Sequence, residues 1–280
     1  MDCKQTNFKN KFLLIAIFVI VYFLVTVFLD LNSRLLEVSF LNIGQGDFCL
    51  IRTPNHHTII VDGGPDPKTS LSKLSEKLPF YDRSIDLVIL THSHSDHLNG
   101  LIDIIKDFKV GAVLITGALA DQEMYKTFLQ TIQDKDIDLL FADSSKDFYF
   151  DDEVYLDILY PFTNQKNKKY KNINNSSVFF NLHYKENEIL FTGDLEEDVH
   201  PFLAKYKDKL KTDILKLSHH GSKNGTTKLL LEKTKPSIGV LSYGLNNKFN
   251  HPHIEAVDLL DQFDIDICRT VDGDCIYKFE

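Results

Sequence analysis

The segment Thr91-His92-Ser93-His94-Ser95-Asp96-His97 carries three histidines and an aspartate within six residues. Before it, Asp86-Leu87-Val88-Ile89-Leu90 is short, apolar and β-branched, the pattern of a buried strand. After it, apolar residues return at Leu98, Leu101, Ile102, Ile104 and Ile105, now with helical spacing. The cluster therefore falls on a strand-to-helix turn. That unit points to an α/β fold, and such folds usually build sites on turns at the carboxyl ends of strands.

Neutral imidazole and carboxylate are ligands of zinc, manganese and iron. A turn can aim alternate side chains, His92 and His94, at one point, and Asp96 and His97 at a second point close by. A lone histidine there would read as part of a solvated polar turn. Four candidate ligands behind a strand read as a metal site.

His-x-His-x-Asp-His resembles the signature of the metallo-β-lactamase fold superfamily. Further stretches, in order along the chain, narrow the resemblance to the hydrolase domain of ComEC-type competence proteins. They are Gly44-Gln45-Gly46-Asp47 with Val61-Asp62-Gly63-Gly64, then Thr192-Gly193-Asp194 at a strand end. The strand Asp213 to Ser218 runs into His219-His220-Gly221-Ser222, and Gly244 to His253 ends in His251-Pro252-His253. Each has a plainer reading: turn glycines, Asp194 capping a helix-like Leu195-Glu196-Glu197-Asp198, and a capping His-Pro turn before a helix over 254–263.

The resemblance implies an α/β, αββα metallo-β-lactamase sandwich over about residues 35–280. It implies metal ligands among His92, His94, Asp96, His97, Asp194, His219 and His220, with Asp194 bridging and one of His219 and His220 binding. Asp62 would support the floor of the site. Asp96, orienting water, and His251, stabilising charge, are the catalytic candidates; Ser222, Lys223, Asn246 and His253 are candidates for meeting substrate. Two departures matter. Where dinuclear members usually supply a further histidine, this chain has Ile173-Asn174-Asn175-Ser176-Ser177, and His183 reads as an ordinary strand residue. The expectation is one firmly held divalent ion and a weaker second, manganese favoured over zinc by the oxygen-rich donor set. Asn250 stands where the family usually has glycine, and asparagine tolerates the left-handed backbone that such a turn needs.

Residues 12–29 are apolar apart from Thr26 and, as a helix, span roughly 27 Å, close to the hydrocarbon core of a bilayer. Lys4, Lys9 and Lys11 precede them, so the positive-inside bias places residues 1–11 in the cytoplasm and a domain of residues 30–280 outside the cell, on a single-pass anchor. A cleaved signal peptide is the rival reading, but no Ala-x-Ala-like site follows. The net charge of -9 argues against sequence-blind duplex binding. It does not argue against phosphate chemistry, because bound metal supplies local positive charge. Cys3, Cys49, Cys268 and Cys275 lack metal-type spacing and read as ordinary residues, with a Cys49 disulfide to Cys268 or Cys275 as an alternative. The polar, basic stretch 163–175 reads as a solvated loop or as a flap that meets a phosphate backbone. Residues 267–270 and 275–279 read as a closing hairpin around Asp272-Gly273.

The functional expectation is a membrane-anchored, metal-dependent hydrolase. By resemblance its substrate is a phosphodiester, nucleic acid above all, with DNA-uptake components as partners. With one anchor and no polytopic channel, the chain is not expected to translocate DNA itself. The alternatives are hydrolysis of another ester, lactone or β-lactam, and a non-catalytic DNA-binding module.

Overall fold

A computed structural model describes residues 2–31 and 34–280, with side chains from Lys11 to Phe28 and from Arg34 onward. Residues 1, 32 and 33 lie outside the described residues. Helix α1 (Asp2–Leu31) contains the apolar window Lys11–Phe28, none of which is buried against the rest of the chain. Length and composition suit a membrane span, and a signal sequence near an N-terminus would meet the same criteria. A core helix would be buried, and this one is not.

The remaining chain alternates strands and helices. Strands β1 (Leu36–Phe40), β2 (Cys49–Arg52) and β3 (Thr58–Val61) lead to helix α2 (Pro67–Lys77). Then come β4 (Ser84–Ile89), α3 (Ser95–Asp107), β5 (Lys109–Ile115), α4 (Glu123–Asp134) and β6 (Asp138–Phe141). A second set follows: β7 (Asp147–Asp151), β8 (Val154–Tyr160), β9 (Phe179–Tyr184), β10 (Asn187–Phe191), the short α5 (His200–Leu203), β11 (Ile214–Lys216) and α6 (Lys228–Thr234). It ends with β12 (Ile238–Leu241), α7 (Ile254–Gln262), β13 (Asp266–Arg269) and β14 (Cys275–Phe279).

Among the described residues these strands form two seven-stranded sheets, ordered β14-β1-β2-β3-β4-β5-β6 and β13-β12-β11-β10-β9-β8-β7. Each sheet is antiparallel along one part and parallel along the other, β3 to β6 in the first and β10 to β13 in the second. Parallel neighbours need crossovers, which lay helices on the outer faces of both sheets and bury the strands on two sides. That is why β4 reads as a nearly continuous apolar run. Leu87 and Ile89 face the other sheet, while Val88 and Leu90 face α2, α3 and α4. Three apolar layers result. The middle one holds Phe40, Phe180 and Phe191, the last two stacked with ring centroids 4.7 Å apart. The outer ones lie under α2 to α4 and under α6 and α7. This is the αββα sandwich expected from the sequence.

Three local expectations need correction. The closing hairpin does not form: β13 pairs with β12 in one sheet and β14 with β1 in the other, so the chain crosses the sandwich at residues 270–274. The crossing brings Cys268 and Cys275 to a Cα–Cα distance of 6.2 Å in a disulfide that joins the two sheets at their shared edge. These two are therefore not ordinary residues, and Cys49 is buried and free. An in-register hairpin would have kept the two cysteines offset; the crossover removes that restriction. Finally, Leu195 to Asp198 is a turn rather than a helix, which leaves Asp194 uncommitted to capping.

Candidate metal centre

The carboxyl ends of the parallel strands converge on one edge of the sandwich. Just beyond the strand ends lie Asp62 after β3, His92 after β4, Asp194 after β10, His219 and His220 after β11, and Ser242 after β12. β4 gives way to α3 through His94, which takes the N-cap position yet makes no capping bond, so its ring stays available. Asp96 lies in the first turn of α3, where the helix dipole favours a carboxylate. Gly46 lets the β1–β2 loop approach closely: a Cβ there would meet the Asp96 carbonyl oxygen at 2.2 Å, and the Asp47 amide donates to that same oxygen at 3.1 Å. His219 and His220 both adopt left-handed backbone, φ 50° and 55°, which is costly for non-glycine residues and typical of functional sites. The bend turns the two rings apart, with an interplanar angle of 68°.

Four groups of side chains have candidate ligand atoms within 4.8 Å of one another; two of them include Asp47, and the two built from predicted ligands alone are His92, His94 and Asp194, and Asp96, His97 and His220. Asp194 joins them. Its Oδ2 lies 3.6 Å from His92 Nε2, 3.3 Å from His97 Nε2 and 3.7 Å from His220 Nε2. His220 Nε2 is also 3.3 Å from Asp96 Oδ2. Asp194 is placed by its own backbone, whose N–H donates to Ser177 Oγ at 3.1 Å.

Hydrogen bonds on the far side of each ring determine which nitrogen faces the centre. His97 Nδ1 is 2.7 Å from Asp62 Oδ2, and Asp62 also accepts from the Thr91 amide and hydroxyl at 2.8 and 2.7 Å. His220 Nδ1 is 3.0 Å from the carbonyl oxygen of Ser242. Carboxylate and carbonyl only accept, so Nδ1 carries hydrogen in both rings and neutral Nε2 presents a lone pair inward. The buried atoms His92 Nε2, His97 Nε2, His220 Nε2 and Asp194 Oδ1 have no hydrogen-bond partner. Buried polar atoms are normally satisfied. Unpartnered ring nitrogens of metal-ligand type gathered around the Asp194 carboxylate fit a divalent cation.

The electrostatics agree. Burial would raise Asp194, but His97, His220 and His92 hold it well below the ordinary carboxylate range. Burial likewise opposes ionisation of Asp96, and the neighbouring His220 and His97 override it, so Asp96 too is held low. Against burial, Asp194 and Asp47 push His220 up to about 9. His92 is lowered well below its usual value by burial and by His97. Anionic carboxylates thus attract positive charge into a dry site, which protons or a metal ion supply.

Sequence reasoning overlooked an outer layer. Lys216, 3% exposed, pairs with Asp47 Oδ2 at 2.8 Å, and Asp47 Oδ1 lies 3.4 Å from His220 Nδ1. A lysine inside the apolar strand Ile214-Leu215-Lys216-Leu217 was the signal, since an unpaired lysine is almost never buried. Glu196 was also missed. It accepts from Asn172 and Asn174 side chains at 2.9 and 2.8 Å and lies 3.1 Å from His219 Nδ1.

The other predicted residues divide. His219 belongs to neither ligand set; its Nε2 is 3.9 Å from Asp194 Oδ2. His251 is buried with Nδ1 unpartnered, and its ring centroid lies 5.1 Å from that of His219. Burial and the neighbouring His219 lower His251 to about 4. His253 Nδ1 accepts from the Lys223 amide, while Lys223 Nζ reaches Glu255 at the surface. Ser222 is buried, its Oγ accepting from the Asn224 amide within the turn. Asn246 is exposed, whereas Asn247 ties the loop together through Gly244, Phe249 and His251. Asn250 does take the left-handed conformation, φ 57°. His183 pairs with Glu188 on the neighbouring strand, away from the ligand sets.

An αββα sandwich with a His/Asp centre at the carboxyl ends of its strands defines a class of metalloproteins. The sequence pattern of the metallo-beta-lactamase superfamily matches residues 41–244, and the chain belongs to that superfamily. It is similar to ComE operon protein 3 of Bacillus subtilis (strain 168), 26% identical over 261 residues, which cover 87% of this chain and 33% of that protein. It is also similar to Recombination protein 2 of Haemophilus influenzae, 25% identical over 248 residues, covering 88% and 29%. The chain thus spans about a third of the length of these relatives. In fold it resembles CmlA, a diiron beta-hydroxylase from Streptomyces venezuelae, with a TM-score of 0.58 at 14% identity over 89% of this chain and 54% of that one.

Proposed function

We propose that the protein is a membrane-anchored, metal-dependent phosphodiesterase that acts on DNA outside the cell membrane. The observation that carries this reading is the approach of buried His92 Nε2, His97 Nε2 and His220 Nε2, none with a hydrogen-bond partner, to within 3.6, 3.3 and 3.7 Å of Asp194 Oδ2 at the strand ends. His92, His94 and Asp194 would hold one divalent ion; Asp96, His97, His220 and Asp194 would hold the other. The second set is richer in oxygen, which favours manganese, with zinc as the alternative. When bound, such an ion supplies Lewis-acid polarisation and makes the water it touches more acidic. The chain's own groups complete the site. Asp96 Oδ2, 3.3 Å from His220 Nε2, faces the centre and orients the attacking water. His219, held at Nδ1 by Glu196, turns Nε2 toward Asp194 and is placed to pass a proton to the leaving oxygen. His251, beside it, stabilises charge that develops on the phosphoryl group. Lys223, exposed beside His253, and Asn246 meet the substrate further out.

The name Recombination protein 2, together with the motif resemblance to ComEC-type competence proteins, supports a DNA substrate and partners from a DNA-uptake system. The exposed apolar helix and the Cys268–Cys275 disulfide support an anchored domain in an oxidising compartment. The test uses the full chain in detergent, stripped of metal and then given Mn²⁺ or Zn²⁺ with DNA or a small phosphodiester. Metal-dependent cleavage is expected, and Asp194→Ala should reduce it by about a thousandfold or more, because several kcal/mol of charge stabilisation are lost. The ligand-poor His92/His94 set favours a second reading, a DNA-binding module that does not cut. Retained DNA binding with no cleavage under either metal would select it.

A further inference from the structure

We propose that residues 163–175 form a preordered basic wall that holds the phosphates of a single nucleic-acid strand leading to the metal centre. This rests on the phosphodiesterase reading for its purpose, but its binding test does not depend on turnover. The segment contains Lys166, Lys168, Lys169 and Lys171 and no carboxylate, in a chain of net charge -9. It borders an open cleft of about 620 Å³ lined by Tyr170, Lys171 and Ile173 from this segment, by Leu119 and Asp121 from the loop after β5, and by His94, with Lys168 and Lys169 on the same segment outside the lining. The cleft therefore touches a candidate ligand of the metal centre. Two residues beyond Ile173, the chain has already reached Asn174 and Asn175, which bond to Glu196 beside His219.

The wall is built rather than loose. The Leu119 amide donates to the Lys168 carbonyl at 2.8 Å and the Asn167 amide to the Gly117 carbonyl at 2.9 Å, stitching the segment to the loop after β5. The Tyr170 hydroxyl donates to Gln165 Oε1 at 2.9 Å, and the Tyr160 hydroxyl donates to the Asn175 carbonyl at 2.8 Å. Lys166 is occupied, its Nζ lying 4.8 Å from the Phe141 ring centroid. Lys168, Lys169 and Lys171 are exposed, and among the described residues none of the three is matched with a carboxylate. Unmatched cations on a fixed backbone beside a cleft attract a polyanion without an ordering cost at the backbone. Tyr170, Leu119 and Ile173 add apolar and aromatic surface for bases, which a polyol-phosphate chain could not use. The volume matches the roughly 300–1,000 Å³ of small-molecule sites, so it suits a nucleotide or two of one strand rather than a duplex.

The probe is a short fluorescent thymidine phosphorothioate strand, titrated with the full-length, metal-loaded protein in detergent at several salt concentrations. Replacing Lys168, Lys169 and Lys171 together with alanine should weaken binding about tenfold or more and flatten the log–log salt slope by about 2, given about 0.7 per phosphate contact on a single strand. The corresponding triple arginine variant should keep both affinity and slope, which separates lost charge from lost folding. An unchanged slope in the alanine variant overturns the proposal. So does equally strong binding of a duplex of the same length, or displacement of the strand by inorganic polyphosphate as effectively as by unlabelled strand. Lysine-dependent strand binding by a wild-type protein that cleaves neither DNA nor a small phosphodiester would overturn the hydrolase reading and leave the wall standing.

Discussion

The two halves of the centre share Asp194 but are supported very differently. In the half of Asp96, His97 and His220, each ring is fixed from behind by an acceptor, Asp62 Oδ2 or the Ser242 carbonyl. Those supports are themselves held, Asp62 by Thr91, and Asp47 beside His220 by Lys216. In the half of His92 and His94, His92 contacts Thr91 Oγ1 at 3.2 Å, and the half-buried ring of His94 has no hydrogen-bond partner among the described residues. Among the described residues no third imidazole joins His92, His94 and Asp194 as a ligand group; the turn after Asn172 supplies asparagines that bond to Glu196 instead. Fixed tautomer and orientation raise metal affinity, so the first of these halves is built to retain an ion. The second, at His94, borders the cleft and lacks such support.

The largest expected difference follows from removing one imidazole from each half. His220→Ala should lower affinity for the firmly held ion by more than about a hundredfold, the upper end of what outer partners alone contribute. His94→Ala should leave that ion in place and remove only the weaker one. Metal content per chain after dialysis measures both. If His94→Ala loses the tight ion while His220→Ala retains it, the ranking of the halves is wrong.

The next contrast sets the buried support against a surface pair of the same kind. Lys216→Met leaves Asp47 buried without its cation, and breaking such a pair costs about 3–5 kcal/mol. Lys223→Met removes an exposed partner of Glu255, and surface pairs of this sort contribute about 0–1 kcal/mol. Urea unfolding of the metal-free variants should show a large drop in midpoint for the first and almost none for the second. Equal, small losses would mean that the Asp47–Lys216 pair is not what stiffens the His220 side.

Much of this arrangement could be read from the chain, and what escaped has physical causes. Strands buried on both faces announce themselves as apolar runs, and the turn after β4 announces its ligands because three imidazoles in six residues have no structural use. The alternation of strands and helices followed from local pattern, whereas the αββα sandwich and the left-handed Asn250 came with the family resemblance. The ends of the chain followed from neither. Asp272-Gly273 has hairpin chemistry, yet β13 and β14 find partners in different sheets, a choice set by tertiary pairing and invisible to a turn motif. The Cys268–Cys275 bond was lost with it. Of His219 and His220, sequence could not choose. The left-handed bend at both residues and the Ser242 carbonyl, twenty-two positions away, turn His220 inward. Glu196 looked like one acid in a helical run, because its partners Asn172 and Asn174 come from a loop that local periodicity does not connect to it.

The smallest effect discriminates most finely, because it changes no ligand. In Asp62→Asn one acceptor oxygen replaces two, while the Thr91 amide, the Thr91 hydroxyl and His97 Nδ1–H still compete for it. If the new amide nitrogen faces His97, the ring must place its hydrogen on Nε2 to accept at Nδ1, and the lone pair directed at the centre is lost. The expected cost is about 10–100-fold in affinity for the ion held by His97. A smaller change is expected at His92, which feels Asp62 only through Thr91 Oγ1. Paired metal titrations of the wild type and Asp62→Asn separate the two: a loss confined to the tight ion supports rigid tautomer control on that side. A loss spread evenly over both ions would show that the halves are coupled through Thr91 and are not independently built.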